Sequence, residues 1–268
     1  MTMDEQAWRR HTASNQRAWD EIATARARWR REQGMTAEFF ASGGTRLPEA
    51  ARAALGELAG ARVLHLQCAT GEESLSLANL GAEVTAVDIS EAQIDIARQS
   101  ASAAGLPVTF VTADVLDLPD DLRDGGFDLV YTATGVLPWL PDLTRWADTI
   151  AAALRPGGRF VLLEEHPLAA CLWADDQGLR IEGDYFGRIH PHHDTGWAHF
   201  PGADGATETK SQFHWPLGDV ISRLIEAGLT ITRLEEFPVD DGSSWRFGAS
   251  TGLASRLPGS FLLTAERT

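Results

Sequence analysis

The residue with the clearest chemical use in this sequence is Asp88, which ends the second of two short apolar runs. The first run, residues 62–66, leads into a turn of small residues at 68–71, and a helical pattern separates that turn from the second run. Small side chains let a ligand approach the backbone of the turn, and the helix start offers free N–H groups to a polar or anionic group. A carboxylate about 20 residues after such a turn can hold both hydroxyls of a ribose. The pattern therefore indicates a site for an adenosine-containing ligand.

The turn departs from the glycine-rich pattern of dinucleotide-binding sites. Gly71 is retained, whereas Gln67 and Ala69 stand at positions where glycine is common. A pyrophosphate needs those glycines in order to come close to the backbone, so the turn argues against a dinucleotide-dependent oxidoreductase. Cys68 also lies in the turn, where we interpret it as a small packing residue and not as a nucleophile.

A second group of reactive side chains follows the fifth predicted strand, in the segment E-E-H-P. Side chains alternate along a strand, so Glu164 and Glu165 should point to opposite faces. These two, His166 in the same segment, and Tyr185 and His190 further along are the candidates for a general base. A base is required only where the acceptor must lose a proton. We favour His166, although each of these side chains alone is more often structural than catalytic.

The apolar periodicity predicts alternating strands and helices that bring these side chains to one edge of a sheet. Helices are predicted at 4–33 (one or two), 48–58, 72–80, 91–104, 143–154 and 217–228. Strands are predicted at 62–66, 83–87, 108–112, 127–131, 159–164, 229–238 and 260–266. Open α/β sheets bind ligands at the carboxyl ends of their strands, which is where Asp88, Asp114 and the segment after residue 131 would lie.

Four motifs in this order carry a family resemblance. They are V-L-H-L-Q-C-A-T-G-E-E-S-L-S-L-A-N-L-G-A-E-V-T-A-V-D-I-S at 63–90, A-D-V at 113–115, F-D-L-V-Y at 127–131 and L-R-P-G-G-R-F at 154–160. In order and spacing they resemble the class I S-adenosylmethionine-dependent methyltransferases. More narrowly, they are similar to a bacterial small-molecule branch whose loop begins V-L-H-L-Q-C. His65 stands where many relatives place an acidic residue in the first strand.

The resemblance implies S-adenosylmethionine as the cofactor and S-adenosylhomocysteine as its product. It assigns cofactor contacts, with Asp114 and the backbone of Val115 near the adenine, to Gln67, Cys68, Ala69, Gly71, Asp88, Ile89, Asp114, Val115, Thr132 and Ala133. Substrate contacts are expected at Trp19, Thr134, Trp139, His193 and Trp245. The implied fold is α/β, with a Rossmann-like seven-stranded, mostly parallel sheet and an antiparallel last strand.

The chain is expected to form a single methyltransferase domain over residues 1–268. Residues 1–58 would be a helical lid, 60–167 the cofactor-binding core, 168–212 an inserted substrate cap after the fifth strand, and 213–268 the C-terminal helix and strands. The insert is long for a crossover and rich in aromatic residues, which favours a functional role. For the N-terminal helices, the alternative is packing on the sheet edge for stability alone.

Composition limits the partners. A net charge of −15 over 268 residues argues against nucleic acid, because phosphate binding needs clustered Lys and Arg. The run His-Pro-His-His-Asp at 190–194 suggests a metal, but adjacent histidines on one loop do not easily converge on one ion, so no metal is expected. Without a long apolar run or a signal-peptide core, the chain is expected to be cytoplasmic and free of membrane contact.

Nine tryptophans favour an aromatic-lined pocket and hence a small aromatic or heteroaromatic substrate. We expect methylation at carbon or nitrogen, for example of an indole-like ring, in bacterial natural-product biosynthesis. The segment after residue 131 lacks the N/D-P-P-Y/F motif of many amine methyltransferases, which argues against DNA bases and protein glutamine as acceptors. Two alternatives stay open: O-methylation of a small molecule, and a non-catalytic sensor that binds S-adenosylmethionine. A homodimer is one candidate for the assembly state.

Overall fold

The computed structural model describes residues 3–175, 178–197, 200–239 and 254–268. Its helices are α1 (Glu5–Glu32), α2 (Ala37–Ala41), α3 (Glu49–Leu55), α4 (Glu72–Asn79), α5 (Glu91–Ala104), α6 (Leu143–Ala153), α7 (Pro167–Ala170) and α8 (Leu217–Glu226). Its strands are β1 (Arg62–Leu66), β2 (Glu83–Asp88), β3 (Val108–Thr112), β4 (Phe127–Ala133), β5 (Leu154–Glu165), β6 (Leu172–Asp175), β7 (Gly178–Ile181), β8 (His192–Thr195), β9 (Thr209–Gln212), β10 (Leu229–Pro238) and β11 (Pro258–Arg267).

Seven strands form the main sheet in the order β10-β11-β5-β4-β1-β2-β3. β1 pairs in parallel with β2 and β4, and further parallel pairs join β2 to β3 and β4 to β5. β11 runs antiparallel to both of its neighbours, β5 and β10. The predicted α/β sheet, mostly parallel with an antiparallel last strand, is therefore confirmed. The strand order changes direction beside β1 and β4, where open sheets of this kind bind ligands.

The sheet is buried on both faces by helices. Alternate residues of the central strands enter two different apolar clusters, so that Leu64 and Leu66 lie in one and Val63 in the other. The first cluster includes apolar residues of α6 and α8, and the second includes those of α3, α4 and α5. Burial on both faces explains why these strands are continuous apolar runs without polar alternation.

The structure changes some predicted boundaries. The segment R-P-G-G was expected to end a helix before a strand at 159–164, but β5 begins earlier, at Leu154. Phe127 pairs with Leu154 and Leu129 with Arg159, so the extra residues form an irregularity within the strand. The insert contains two antiparallel hairpins, β6–β7 and β8–β9.

The N-terminal segment is one long helix held against the sheet by polar contacts. Asp20 Oδ1 accepts hydrogen bonds from Ser90 Oγ at 2.6 Å and Ala92 N at 3.2 Å, at the start of α5. On another side of α1, Asn15 and Ser211 of β9 exchange two hydrogen bonds, of 3.0 and 2.7 Å. α1 is thus fixed between the sheet edge and the insert. Within the described residues, no helix has the length and apolar character needed to cross a membrane.

Candidate functional site

A cavity of about 1120 Å³, counting the solvent at its mouth, lies at the carboxyl ends of β1 to β4 and is bounded by α1. Eleven of the residues predicted to contact cofactor or substrate line it: Trp19, Gln67, Cys68, Ala69, Asp88, Ile89, Asp114, Val115, Ala133, Thr134 and Trp139. Burial raises the pKa of the Cys68 thiol well above its usual range, so this wall residue is a neutral thiol. The sequence therefore located 11 of the 25 residues that line the cavity.

The turn after β1 has the backbone shape of a glycine-rich loop without all of the glycines. Gln67 and Ala69 have φ values of 54° and 50°, in the left-handed region that glycine usually occupies. The amide of Ala69 donates to Asp88 Oδ2 at 2.8 Å, and Gln67 Nε2 donates to the carbonyl of Val136 at 3.1 Å. These contacts hold the strained turn against the ends of β2 and β4. Such strain persists where the surrounding structure fixes it, which is common at functional sites.

Gly71 supports the site from behind and is not part of the cavity wall. Its φ is +85°, and a Cβ placed on it would lie 2.9 Å from Ala97 Cβ and 3.0 Å from the Phe110 ring. Glycine at this position therefore lets α4 begin close to α5 and β3. Its proposed role in cofactor binding is indirect, through the shape of the turn.

Replacement of Gly71 by alanine should lower the free energy of unfolding by about 2 kcal/mol or more, because a left-handed backbone and a steric overlap both oppose the methyl group. Gly105→Ala is the matched control: its φ is +68°, but nothing lies within 4 Å of the added Cβ. Urea denaturation of both variants measures the difference. Equal losses in the two would contradict the packing role.

Asp88 and Asp114 project carboxylates into the cavity from β2 and from the end of β3. Asp88 accepts hydrogen bonds from Ala69 N at 2.8 Å and Ser90 N at 2.9 Å, and Asp114 accepts one from Leu116 N at 2.9 Å. Burial raises the pKa of both carboxyls, while these backbone donors act in the opposite direction. The two acids are thus fixed in position and retain acceptor capacity for ligand hydroxyl or amino groups.

The loop after β4 is held by the buried carboxylate of Glu164. Gly135 N donates to Oε1 at 2.6 Å, and Val136 N and Leu137 N donate to Oε2 at 2.7 and 2.9 Å. Glu165 N also donates to Oε1, at 2.6 Å. Burial raises the pKa of Glu164 to about 7. Glu164 therefore shapes the loop whose residues line the cavity, and its oxygens are engaged by backbone.

None of the five residues predicted as a general base lines the cavity, although all lie in the described part of the chain. His166 caps α7, its Nδ1 accepting from Leu168 N at 3.1 Å and its Nε2 lying 2.9 Å from Glu236 Oε1. Tyr185 accepts from Leu217 N at 3.2 Å. Glu165 is partly buried on β5, and His190 is exposed. Geometry thus gives Glu164, His166 and Tyr185 structural contacts away from the cavity.

Two further predicted contacts, Thr132 and His193, also lie outside the cavity wall. Thr132 is buried and donates through Oγ1 to the carbonyl of Leu66 at 3.0 Å, which ties β4 to β1. His193 lies on β8, where its ring stacks with His11 at 5.7 Å and its Nδ1 lies 3.1 Å from Ser211 Oγ. Trp245 lies outside the described residues.

The insert packs on α1 and does not line the cavity directly. No residue of 168–212 in the described ranges belongs to the cavity wall. Trp197, however, packs against Trp19 and Trp139, with ring centroids 4.4 and 5.5 Å apart. Trp19 and Trp139 themselves meet edge to face at 5.1 Å. We call Trp19 and Trp139 the aromatic wall; the insert supports it from behind. Among the described residues, no group of three or more His, Cys, Asp or Glu is arranged to hold a metal.

Sequence reasoning missed a group of polar cavity residues from α1, the segment before α3, β1, α4 and α5. They are Thr12, Asn15, Arg26, Arg30, Arg46, His65, Glu72, Glu73 and Gln93. Positions 12, 15, 19, 26 and 30 share one face of a helix, and that spacing was the available signal for α1. Three buried atoms in the cavity residues have no hydrogen-bond partner: Arg30 Nε, Gln67 Oε1 and Gln93 Oε1.

Comparison with known proteins gives a consistent result. Residues 63–158 match a family model described as a methyltransferase domain. A ubiquinone biosynthesis O-methyltransferase of Xanthomonas campestris pv. campestris (strain B100) is 33% identical over 185 residues, 67% of this chain and 73% of that protein. Another, from Xanthomonas euvesicatoria pv. vesicatoria (strain 85-10), is 36% identical over 137 residues, 50% of this chain and 54% of the relative. The chain thus spans about half the length of several of the curated relatives that it matches.

Solved structures share the fold. An S-adenosylmethionine-dependent methyltransferase from Mesorhizobium loti superimposes with a TM-score of 0.61 at 25% identity, covering 81% of this chain and 96% of that one. A geranyl diphosphate C-methyltransferase from Streptomyces coelicolor A3(2), solved with S-adenosyl-L-homocysteine, gives a TM-score of 0.56 at 16% identity, covering 82% and 78%. At that identity the second structure supports the fold alone.

Proposed function

Since this chain belongs to the class I S-adenosylmethionine-dependent methyltransferases, we propose that it transfers a methyl group from S-adenosylmethionine to a small aromatic molecule. The observation that carries the proposal is the cavity at the carboxyl ends of β1 to β4. It joins two fixed carboxylates, Asp88 and Asp114, to an aromatic wall.

The residues of the cavity suit the cofactor. When bound, S-adenosylmethionine would supply a methyl group activated by its sulfonium: a nucleophilic atom of the acceptor would bond to that carbon, and S-adenosylhomocysteine would leave with the electrons of the broken C–S bond. Asp88 would accept from the ribose hydroxyls, and Asp114 from the adenine amino group. The buried, unpartnered oxygens of Gln67 and Gln93 indicate a polar ligand, because buried polar groups in folded proteins are nearly always paired. The task of these residues is to bind, orient and exclude water.

The aromatic wall favours a planar acceptor. Trp19 comes from α1 and Trp139 from the loop after β4, so an acceptor ring packed against this wall would contact two different elements of the fold. The relatives named above are O-methyltransferases of ubiquinone biosynthesis, and a demethylmenaquinone methyltransferase of Thermus thermophilus is 40% identical over 113 residues. These names support a phenolic or quinol-type ring. The O-methyltransferase names, which are those of the ubiquinone relatives alone, favour oxygen as the acceptor atom over the carbon or nitrogen of an indole-like ring.

A biological setting completes the proposal. We propose that the partner is a small molecule, in natural-product or related biosynthesis in the cytoplasm, and not a nucleic acid. The net charge of −15 supports the last point. A homodimer stays a prediction, as does the division into lid, core, cap and C-terminal segment.

Calorimetry followed by an acceptor screen tests the function. The purified chain should bind S-adenosylhomocysteine and then methylate at least one member of a panel of catechols, quinols and indoles, detected as methylated product by mass spectrometry. Trp139→Leu should raise the KM of that acceptor and leave S-adenosylhomocysteine affinity unchanged. Binding without any product across the panel would favour the non-catalytic sensor. Absence of binding would refute the proposal.

A further inference from the structure

One side of the cavity carries charges of both signs that are not paired with each other. Arg30 of α1, Arg46 of the segment before α3 and Glu73 of the first turn of α4 all line it. Within the described residues neither arginine forms an ion pair with Glu73. Burial lowers the pKa of Arg30 and raises the pKa of Glu73, and the charge of each residue acts against the other's shift. We call these three residues the charged end. A ligand in this cavity that brings both a cation and an anion would meet charges of both signs here.

Arg26 and Glu72, which lie beside the charged end, already have partners. Arg26 Nη1 donates to Thr70 Oγ1 at 2.5 Å and lies 3.6 Å from Glu72 Oε2. The Thr70 hydroxyl lies 2.7 Å from Glu72 Oε1. This group joins α1 to the start of α4. It therefore holds α1 against α4. The three residues of the charged end are not part of this group and stay available to a ligand.

Glu73 is fixed as an acceptor by Tyr131. The Tyr131 hydroxyl donates to Glu73 Oε2 at 2.7 Å, and its ring lies 5.2 Å from that of His65. Burial raises the pKa of Tyr131 well above its usual range, so the phenol keeps the proton that it donates. His65 has its pKa lowered to about 3 by burial and contacts Ser74 Oγ at 2.8 Å. The imidazole in β1 is therefore uncharged near neutral pH, and Glu73 is the acid on this side.

Arg30 has donor capacity that the protein does not use. Its Nε is buried without a partner, and the contact of its Nη1 is the weak acceptor Met35 Sδ at 3.8 Å. Burial, together with the nearby charge of Arg26, lowers the pKa of Arg30. A carboxylate placed against it would form charge-assisted hydrogen bonds and remove the cost of an unpaired buried donor.

We infer that the charged end binds the amino acid portion of S-adenosylmethionine, with the α-ammonium at Glu73 and the α-carboxylate at Arg30 and Arg46. The inference rests on the proposed function, because it deepens the assignment of the same cavity. Charges of both required signs line the same cavity, and the Nε of Arg30 is buried there without a hydrogen-bond partner. β1 has His65 where many relatives have an acidic residue. In this chain the acidic side chain comes from α4 instead: it is Glu73, which accepts a hydrogen bond from Tyr131.

Two ligands separate this inference from the rest of the site. S-adenosylhomocysteine carries the amino acid portion, whereas 5′-methylthioadenosine has the same nucleoside and thioether without it. Glu73→Gln and Arg30→Met should each raise the Kd of S-adenosylhomocysteine about 10- to 100-fold in calorimetry, which is the range expected for one charge-assisted contact. In both variants the Kd of 5′-methylthioadenosine should stay within about twofold of the wild-type value. Glu91→Gln, an exposed acid in the first turn of α5, is the matched control and should change neither affinity.

An analogue of S-adenosylhomocysteine without the α-amino group assigns the two contacts separately. It should bind Glu73→Gln as well as it binds wild type, and it should still bind Arg30→Met more weakly. An equal loss of affinity for both nucleosides in the variants would mean that Glu73 and Arg30 only shape the cavity, which would overturn the inference. Unchanged affinity for S-adenosylhomocysteine would overturn it as well. If wild type bound neither nucleoside, the proposed function itself would fail.

Discussion

Replacing Asp88 by alanine is expected to weaken S-adenosylhomocysteine about 100-fold or more. The carboxylate sits at the end of β2, and we propose that it accepts two hydrogen bonds from the ribose. Hydrogen bonds to a charged group contribute about 1.5–3 kcal/mol each, so the loss of two removes at least two orders of magnitude. The same substitution removes the acceptor for Ala69 N and Ser90 N, which loosens the turn. Isothermal titration calorimetry gives the affinity directly.

A loss of affinity in Asp88→Ala supports the contact with the ribose only if the variant still folds. Asp88→Asn keeps an acceptor oxygen for one backbone amide and serves as the milder variant, with an expected loss of about 10-fold or more. Asp95→Ala, on the exposed surface of α5, removes the same charge far from the turn and should leave affinity unchanged. An Asp88→Ala chain that folds cooperatively and binds as wild type does would refute the ribose assignment.

Replacing Glu164 by alanine is expected to lower the free energy of unfolding by about 4 kcal/mol. Four backbone amides, those of Gly135, Val136, Leu137 and Glu165, lose their acceptor at once. Each buried donor left unpaired costs about 1–3 kcal/mol, and partial relaxation of the loop keeps the sum toward the lower end. Urea denaturation measures the change, and Glu83→Ala, an exposed acid on β2, provides the control.

The pH dependence of stability separates Glu164 from an ordinary packing residue. Burial raises its pKa to about 7 from 4.5. Between those two values the folded chain keeps a proton that the unfolded chain has lost. This group therefore makes stability fall as pH rises through that window, by about 3 kcal/mol in total. Glu164→Gln cannot titrate and should flatten that part of the curve. An unchanged pH profile in Glu164→Gln would show that the group does not titrate in this range.

The sequence was most informative where the chain is local. The unit from β1 through α4 to β2 is contiguous, its strands are buried runs, and Ser90 caps the next helix, α5, by accepting from Gln93 N at 3.2 Å. Asp88 follows from that unit alone, because the end of β2 must lie beside the turn after β1. Positions of this kind depend on spacing along the chain, which a single sequence displays.

Residues whose role depends on distant contacts could not be assigned in the same way. Glu164 was a candidate general base because it stands at a strand end, but its surroundings are the amides of a loop almost thirty residues earlier in sequence. The aromatic insert stays a predicted substrate cap, and its residue types gave no sign that β9 is hydrogen-bonded to Asn15 of α1. Residue types alone do not distinguish a carboxylate that binds a ligand from one that binds backbone, because both need the same acceptor oxygens.

The helix α1 has a kinetic consequence. It contributes Thr12, Asn15, Trp19, Arg26 and Arg30 to the cavity, and it is anchored at both the sheet edge and the β8–β9 hairpin. We expect S-adenosylhomocysteine to dissociate only when those anchors separate. Its residence time would then measure how long α1 stays over the cavity. The movement of α1 away from the cavity, and not the methyl-transfer step, would then limit kcat.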